Sequence, residues 1–325
     1  NKYNLPNQIS NFFEINNFLD YFDIYEKNNL ALKTPTTVID KFLYIPENYI
    51  VNIFPSQKII LSNNAFIFSK SPWNVVGSPE SLIHIMGEEK NFGGGIIITD
   101  TDDESVFKYV NFQYLNGIKK DFYSGNIVTG AINFNNTKVV LKNILVEKIN
   151  AEDAINIFNS KFYVENGYLS ENFSDAIDFD FSNGKVKNIE FNSIGNDALD
   201  FSGSKASVEN VIFNNIGDKV ISVGENSSLN IYNIKGKNSL IGIASKDGSK
   251  TYVENIKFVN VDYPFAAYKK KEVYEHGKLH LNNFSANGFK KQYIRDFNSI
   301  IFDEKLNKKL GKSDKEIDEI IENII

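Results

Sequence analysis

Four aspartates stand at a spacing that invites carboxylate chemistry: Asp175, Asp178, Asp197 and Asp200. Asp175 and Asp197 are 22 residues apart, and so are Asp178 and Asp200. If 22 residues make one turn of a stacked coil, each pair becomes a direct neighbour at about 4.8 Å. Two carboxylates that close repel, unless one keeps a proton or a cation lies between them. A protonated carboxyl beside an ionised one is the equipment of general acid–base catalysis and of glycoside hydrolysis. Asp153 extends the series upstream by one interval, and Lys219 ends it one interval downstream. Turn capping explains aspartates at 153, 175 and 197 equally well, because Asp bonds local backbone. It explains Asp178 and Asp200 less well, since both sit inside strand pattern.

The element that must position these residues is a repeat. From residue 138 the chain cycles through a strand, an Asn, a second strand and a turn. The asparagines are Asn143, Asn166, Asn188, Asn210, Asn233 and Asn255, at intervals of 23, 22, 22, 23 and 22. Weaker matches stand at Asn111 and Asn282. Ile177 and Phe179 align with Leu199 and Phe201, then with Ile221 and Val223, with small or polar residues between them. That period-two alternation reads as strand. A repeat near 22 residues suits three short parallel strands per coil, so the predicted fold is all-β: a right-handed parallel β-helix solenoid of about 9–11 coils. The stacked asparagines are expected to bond one another and to cap buried backbone groups. A solenoid needs its ends covered. Apolar residues from Ile9 to Phe22 fall at mostly helical spacing, and Ser313–Glu316 is a capping-box pattern before Ile317, Ile320, Ile321 and Ile324. The expectation is one domain over 1–325: a helical N-terminal cap at 1–35, coils over 36–300 and a C-terminal helical segment at 301–325.

A second charged group follows the first: Glu225, Lys246, Asp247, Lys269, Lys270 and Lys271. Counting back eight from the next coil's Asn gives Asp180, Ser202, Glu225 and Asp247, which predicts a polar column at a strand end. Such a column can be a solvated ladder of ion pairs worth little each. It can equally be a groove in which lysines, with Lys219, meet the carboxylates of an acidic sugar and one desolvated Lys serves as a base. Asp178 and Asp200 with Asp180 could hold Ca²⁺ through oxygen ligands, although 178–184 lacks EF-hand spacing. No other metal or cofactor is expected. Gly93–Gly95 opens a strand rather than a helix, so it is no phosphate loop. His84, inside an apolar strand pattern, reads as a structural histidine.

Composition narrows the function classes. The 325 residues are 42% hydrophobic and carry a net charge of −6. That balance argues against a nucleic-acid partner. With no cysteine, thiolate metal sites and cysteine nucleophiles are excluded. Arg295 is the single arginine, and His84, His276 and His280 are the only histidines. Any chemistry therefore falls to carboxylates and lysines. No apolar run reaches membrane-spanning length.

The phrases Gly-Asn-Asp-Ala-Leu-Asp-Phe-Ser-Gly-Ser (195–204), Ile-Ser-Val-Gly-Glu (221–225) and Ala-Ser-Lys-Asp (244–247) resemble β-helix regions of secreted bacterial proteins in the pectin-lyase-like superfamily. The resemblance covers most of 100–290. Asn172-Phe173-Ser174-Asp175-Ala176 and Asn196-Asp197 are also similar to the two aspartate motifs of polygalacturonase-type glycosidases. That similarity implies catalytic roles for Asp175 and Asp197. The family's Gly-His-Gly and Arg-Ile-Lys have no counterpart here, and Asn196 replaces one of its three acids. The resemblance implies a carbohydrate-active enzyme, a glycoside hydrolase or lyase. Its partner would be an extracellular or capsular, acidic polysaccharide, and its location extracellular, cell-surface or periplasmic. The competing expectation is a non-catalytic cell-surface or polysaccharide-binding protein whose Asp, Lys and Asn ladders are structural.

Overall fold

The computed structural model describes residues 17–118 and 128–311. Within them 25 strands join in one sheet, wound into a parallel β-solenoid of about 12 turns. The count slightly exceeds the expected 9–11, and residues 29–115 stack in register on coils of uneven length whose repeat is hidden. Ile59 pairs with Ile85, for example, and Phe107 with Val75.

The regular coils turn three corners, most of them through a residue in the left-handed region. Strands Lys138–Glu147, Lys161–Asn172 and Asn183–Ile194 bend at Asn143, Asn166 and Asn188, with φ of 53°, 56° and 54°. Asn tolerates this region because its short amide bonds locally. Lys148, Glu171, Ser193 and Asn215 hold the same conformation at the second corner, and Asn136, Asn159, Phe181 and Gly203 at the third. The first-corner amides bond along the stack as expected, Asn210 Nδ2 to Asn188 Oδ1 at 3.1 Å and Asn233 Nδ2 to Asn210 Oδ1 at 3.0 Å. They do so on the exposed surface and cap nothing buried. Two members also differ from the expectation. Tyr109, not Asn111, precedes Asn143, and Asn283, not Asn282, follows Asn255.

The buried ladder is made of serines. Ser160, Ser182, Ser204, Ser227 and Ser249 each accept the backbone N–H of the coil before, at 2.8–3.1 Å. Inside, identical side chains stack: Phe179 on Phe201 at 4.6 Å and Phe191 on Phe213 at 5.1 Å, both with planes 7° apart. The main core cluster runs from Phe18 to Ile301 without interruption.

The helical caps are not supported. After a 3-10 turn at Asn17–Asp20, strands Phe22–Tyr25 and Asn29–Leu32 form an antiparallel hairpin. At the other end Ile300–Asp303 pairs antiparallel with Lys308–Lys309. A reversing strand offers the open edge the hydrogen bonds it lacks, which a helix laid across it does not. The rest of both predicted caps, including 1–16 and the capping box at 313–316, lies outside the described residues.

Candidate active site

The third face carries the aspartates. Its strands include Asp153–Phe158, Asp175–Asp180 and Leu199–Ser202. Ile177, Phe179, Leu199 and Phe201 point into the core, which turns Asp178 and Asp200 outward as paired neighbours. Asp153 likewise pairs with Asp175. The Asp197 backbone N–H donates to Asp175 Oδ1 at 2.8 Å, and the Lys219 backbone N–H donates to Asp197 Oδ1 at 2.9 Å. Each carboxylate thus holds the next coil by its backbone. The Lys219 ammonium closes this column between Asp197, at 3.4 Å, and Asp218.

A cavity of about 220 Å³ opens here. Asp175, Asp197, Asp200 and Asp218 line it together with Lys219, Lys246, Lys270 and Tyr268. One carboxylate oxygen from each of Asp175, Asp197 and Asp200 lies within 4.8 Å of the others. Lys246 reaches the site because Gly224, one coil earlier, has no side chain: a Cβ there would lie 2.9 Å from Lys246 Cε. No hydrogen-bond or ion-pair partner meets the Lys246 ammonium among the described residues.

Burial sets the proton inventory. It pushes Asp175 up to about 8, with Asp197 and Asp200 adding repulsion. Asp175 Oδ1 also accepts the Asn196 amide at 2.6 Å, which leaves Oδ2 to carry the proton. Burial raises Asp197 to about 6 against the pull of Lys219. Asp153 rises to about 7, chiefly by burial. Asp178 is held far above the carboxylate range, by burial first and then by Asp153, Asp180 and Asp200. Burial works against the Lys219 ammonium, yet Asp197, Tyr268 and Asp218 carry its pKa above the ordinary lysine value. Lys246 behaves alike, with Asp200 its strongest support. Lys270 is lowered by burial and by repulsion from Lys246 and Lys219. Burial raises Tyr268, with both lysines opposing.

Of the residues read from sequence, Asp175, Asp197, Asp200, Lys219, Lys246 and Lys270 meet in the cavity. Asp178 lies beside Asp200 but outside the lining; with Asp180 it accepts the Asn156 amide, at 3.2 Å each. The expected column of Asp180, Ser202, Glu225 and Asp247 is not one column. Ser202 pairs with Gly224, and Lys246 with Tyr268. The turn after Gly224 has an extra residue, with both Glu225 and Asn226 left-handed, which offsets a count taken from the next Asn. Glu225 pairs with Lys271, and Lys269 with Glu272 at 3.1 Å. Buried Asp247 Oδ1 accepts the backbone N–H groups of Lys270 and Lys271 at 2.7 and 2.8 Å. These four frame the segment that delivers Lys270.

Tyr268 and Asp218 were missed. Tyr268 stands 22 residues after Lys246, the interval already in hand. The oxygen set predicted for calcium, Asp178, Asp180 and Asp200, does not converge as a group. The set that does, Asp175, Asp197 and Asp200, has lysine ammoniums beside it.

No protein-family model and no curated protein matches the chain. Among solved structures, an alginate lyase from Paenibacillus sp. str. FPU-7 is similar at 9% identity over 80% of this chain and 99% of that one, with a TM-score of 0.45. The catalytic domain of a GH87 alpha-1,3-glucanase, in complex with tetrasaccharides, is similar at 12% identity and a TM-score of 0.49. That match covers 90% of this chain, which spans just under two thirds (65%) of the glucanase domain. A periplasmic alginate epimerase, AlgG, is similar at 11% identity over 85% of this chain and 80% of that one, with a TM-score of 0.41. At such identities each site is read from its own residues.

Proposed function

We propose that the protein cleaves a polysaccharide by acid-assisted hydrolysis in the aspartate–lysine cavity. The observation that carries this is Asp175, protonated at neutral pH by a pKa of about 8, with its carboxyl within 4.8 Å of Asp197 and Asp200. Asp175 Oδ2 donates its proton to the glycosidic oxygen as the bond breaks. Asp200 attacks the anomeric carbon, and Asp175 then takes a proton from the water that releases the glycosyl-enzyme. Carboxyls this close leave no room for an intervening water, so retention of anomeric configuration follows. Asp197, held by Lys219, orients Asp175 through its backbone N–H. Lys246 and Lys270, free of ion-pair partners, suit the carboxylates of an acidic polymer. A polymer substrate suits a protein working outside the cytoplasm, at the cell surface or in the periplasm. Among the described residues no helix is long and apolar enough to cross a membrane.

The test is incubation with a panel of acidic and neutral polysaccharides, reading reducing ends and the absorbance of unsaturated products. New reducing ends that fall at least 100-fold in Asp175→Asn and Asp200→Asn support hydrolysis. An unsaturated product moves the reading to a lyase, with Lys270, whose pKa burial and the neighbouring lysines lower, as the base. A glycan that binds but is never cut leaves a binding protein.

A further inference from the structure

Phe173 is 72% exposed, two residues before Asp175, and makes no ring contact among the described residues. It stands at the corner that leads onto the third face. The next two coils present glycine at the same place: a Cβ on Gly195 would collide with the Phe173 carbonyl oxygen, and one on Gly217 with that of Gly195. Tight coil stacking demands these glycines, and the consequence is a shelf bare of side chains on the two coils after Phe173. A shallow groove that includes both glycines is walled by Glu171, Asn172, Ser193 and Asn215 with Ile194 and Ile216, and Phe173 adjoins it at Asn172. Gly195 is followed in the chain by Asn196 and Asp197, and Gly217 by Asp218, all of which line the cavity, so the groove ends within two residues of it.

We infer that Phe173 and the Gly195–Gly217 shelf form a flanking subsite for a pyranose unit of the chain whose next units occupy the cavity. The inference rests on the polysaccharide reading above. The site is amphipathic: one solvent-exposed aromatic face among amide, hydroxyl and carboxylate groups. A pyranose matches it, with C–H groups on one face for the ring and hydroxyls at its edge for Asn215, Ser193 and Glu171. A protein partner would call for a contiguous apolar patch, whereas a lone ring among polar groups does not offer one.

The test measures oligosaccharide binding by calorimetry in Asp200→Asn, which prevents turnover, with and without Phe173→Ala. Long oligosaccharides are expected to bind about tenfold more weakly to the double variant, with an unchanged melting temperature. In the otherwise native protein, Phe173→Ala should raise KM for polymer while leaving kcat on a disaccharide intact. Phe173→Trp should keep the affinity and report binding by fluorescence. Equal affinity with and without Phe173 overturns the subsite and leaves the hydrolase reading standing. Phe173-dependent binding of a glycan that is never cut upholds the subsite and overturns the hydrolase. If no glycan in the panel binds, both fall.

Discussion

On the proposed hydrolase reading, Asp175 links acidity, stability and turnover in one side chain. A carboxyl whose folded pKa is about 8, against about 4 unfolded, binds more protons in the native state across that window. Its contribution to stability is therefore full at low pH and is lost as pH rises from about 4 to 8. Asp153, Asp178 and Asp197 are shifted the same way. Thermal melts should show the protein more stable at pH 5 than at pH 8. Asp175→Asn, a neutral isostere, should flatten that slope and raise the pH 8 melting temperature by about 2 °C or more. A steeper slope in the variant would assign the effect elsewhere. For turnover, kcat/KM should fall above pH 8 as the acid loses its proton. Asp247 acts at one remove, holding two backbone N–H groups of the Lys270 segment. Asp247→Ala should cost about 1–3 kcal/mol and raise KM for acidic substrates, while Asp247→Asn, which keeps an acceptor oxygen, should restore both. The aspartates were legible because their shared interval becomes a contact in any stacked coil. Glu225, Asp247, Lys269 and Lys271 left two readings open, an ion-pair ladder or a binding groove, because charge alone does not say whether a head group or its backbone neighbour is the partner. Only the fold shows Asp247 bonding N–H groups rather than ammoniums.

At the scale of the coil, two ladders share one period and differ in what they do. The Asn ladder is exposed and sits where φ must be positive. The Ser ladder is buried: Ser204 Oγ accepts the Ser182 N–H at 2.8 Å and donates to the Phe179 carbonyl at 2.8 Å. Asn210→Gly should then be nearly neutral and Asn210→Ala should cost about 1 kcal/mol, because Ala resists the left-handed region. Ser204→Ala should cost about 1–3 kcal/mol by stranding two buried groups. Chemical denaturation of the three variants checks the order, and Asn210→Gly as damaging as Ser204→Ala would show the amide bonds to matter more than φ. Strand parity on the third face was fully readable, since Ile177 and Phe179 can face only one way if they are to be buried. Which ladder lies inside was not, because Ser and Asn both serve turns and neither type declares its side.

Across the whole molecule, edges set the behaviour. A parallel solenoid leaves strand edges at each end, and at each end an antiparallel hairpin covers one of them. Leu30 is fully buried in the first. Leu30→Asp should loosen that hairpin and expose the edge, giving concentration-dependent association by light scattering. A variant that stays monodisperse at high concentration would show the edge guarded by other residues. The early coils were readable as coils but not by a repeat interval, because Trp73, Phe107 and their neighbours fill the core without repeating one residue type. The later coils repeat both type and interval. The acidic column has one more consequence. The site residues come from successive coils, Asp175 from one, Asp197 and Asp200 from the next and Asp218 and Lys219 from the one after, and the switch from Asp197 to Lys219 takes a single rung. Duplicating a whole coil ahead of Asp153 would lengthen the protein and leave the cavity's walls in place. Duplicating the coil between Asp175 and Asp197 would pull acid from carboxylate by one strand spacing. The active centre is thus addressed by coil number, and a lineage can extend its binding face in 22-residue increments while inheriting the chemistry unchanged.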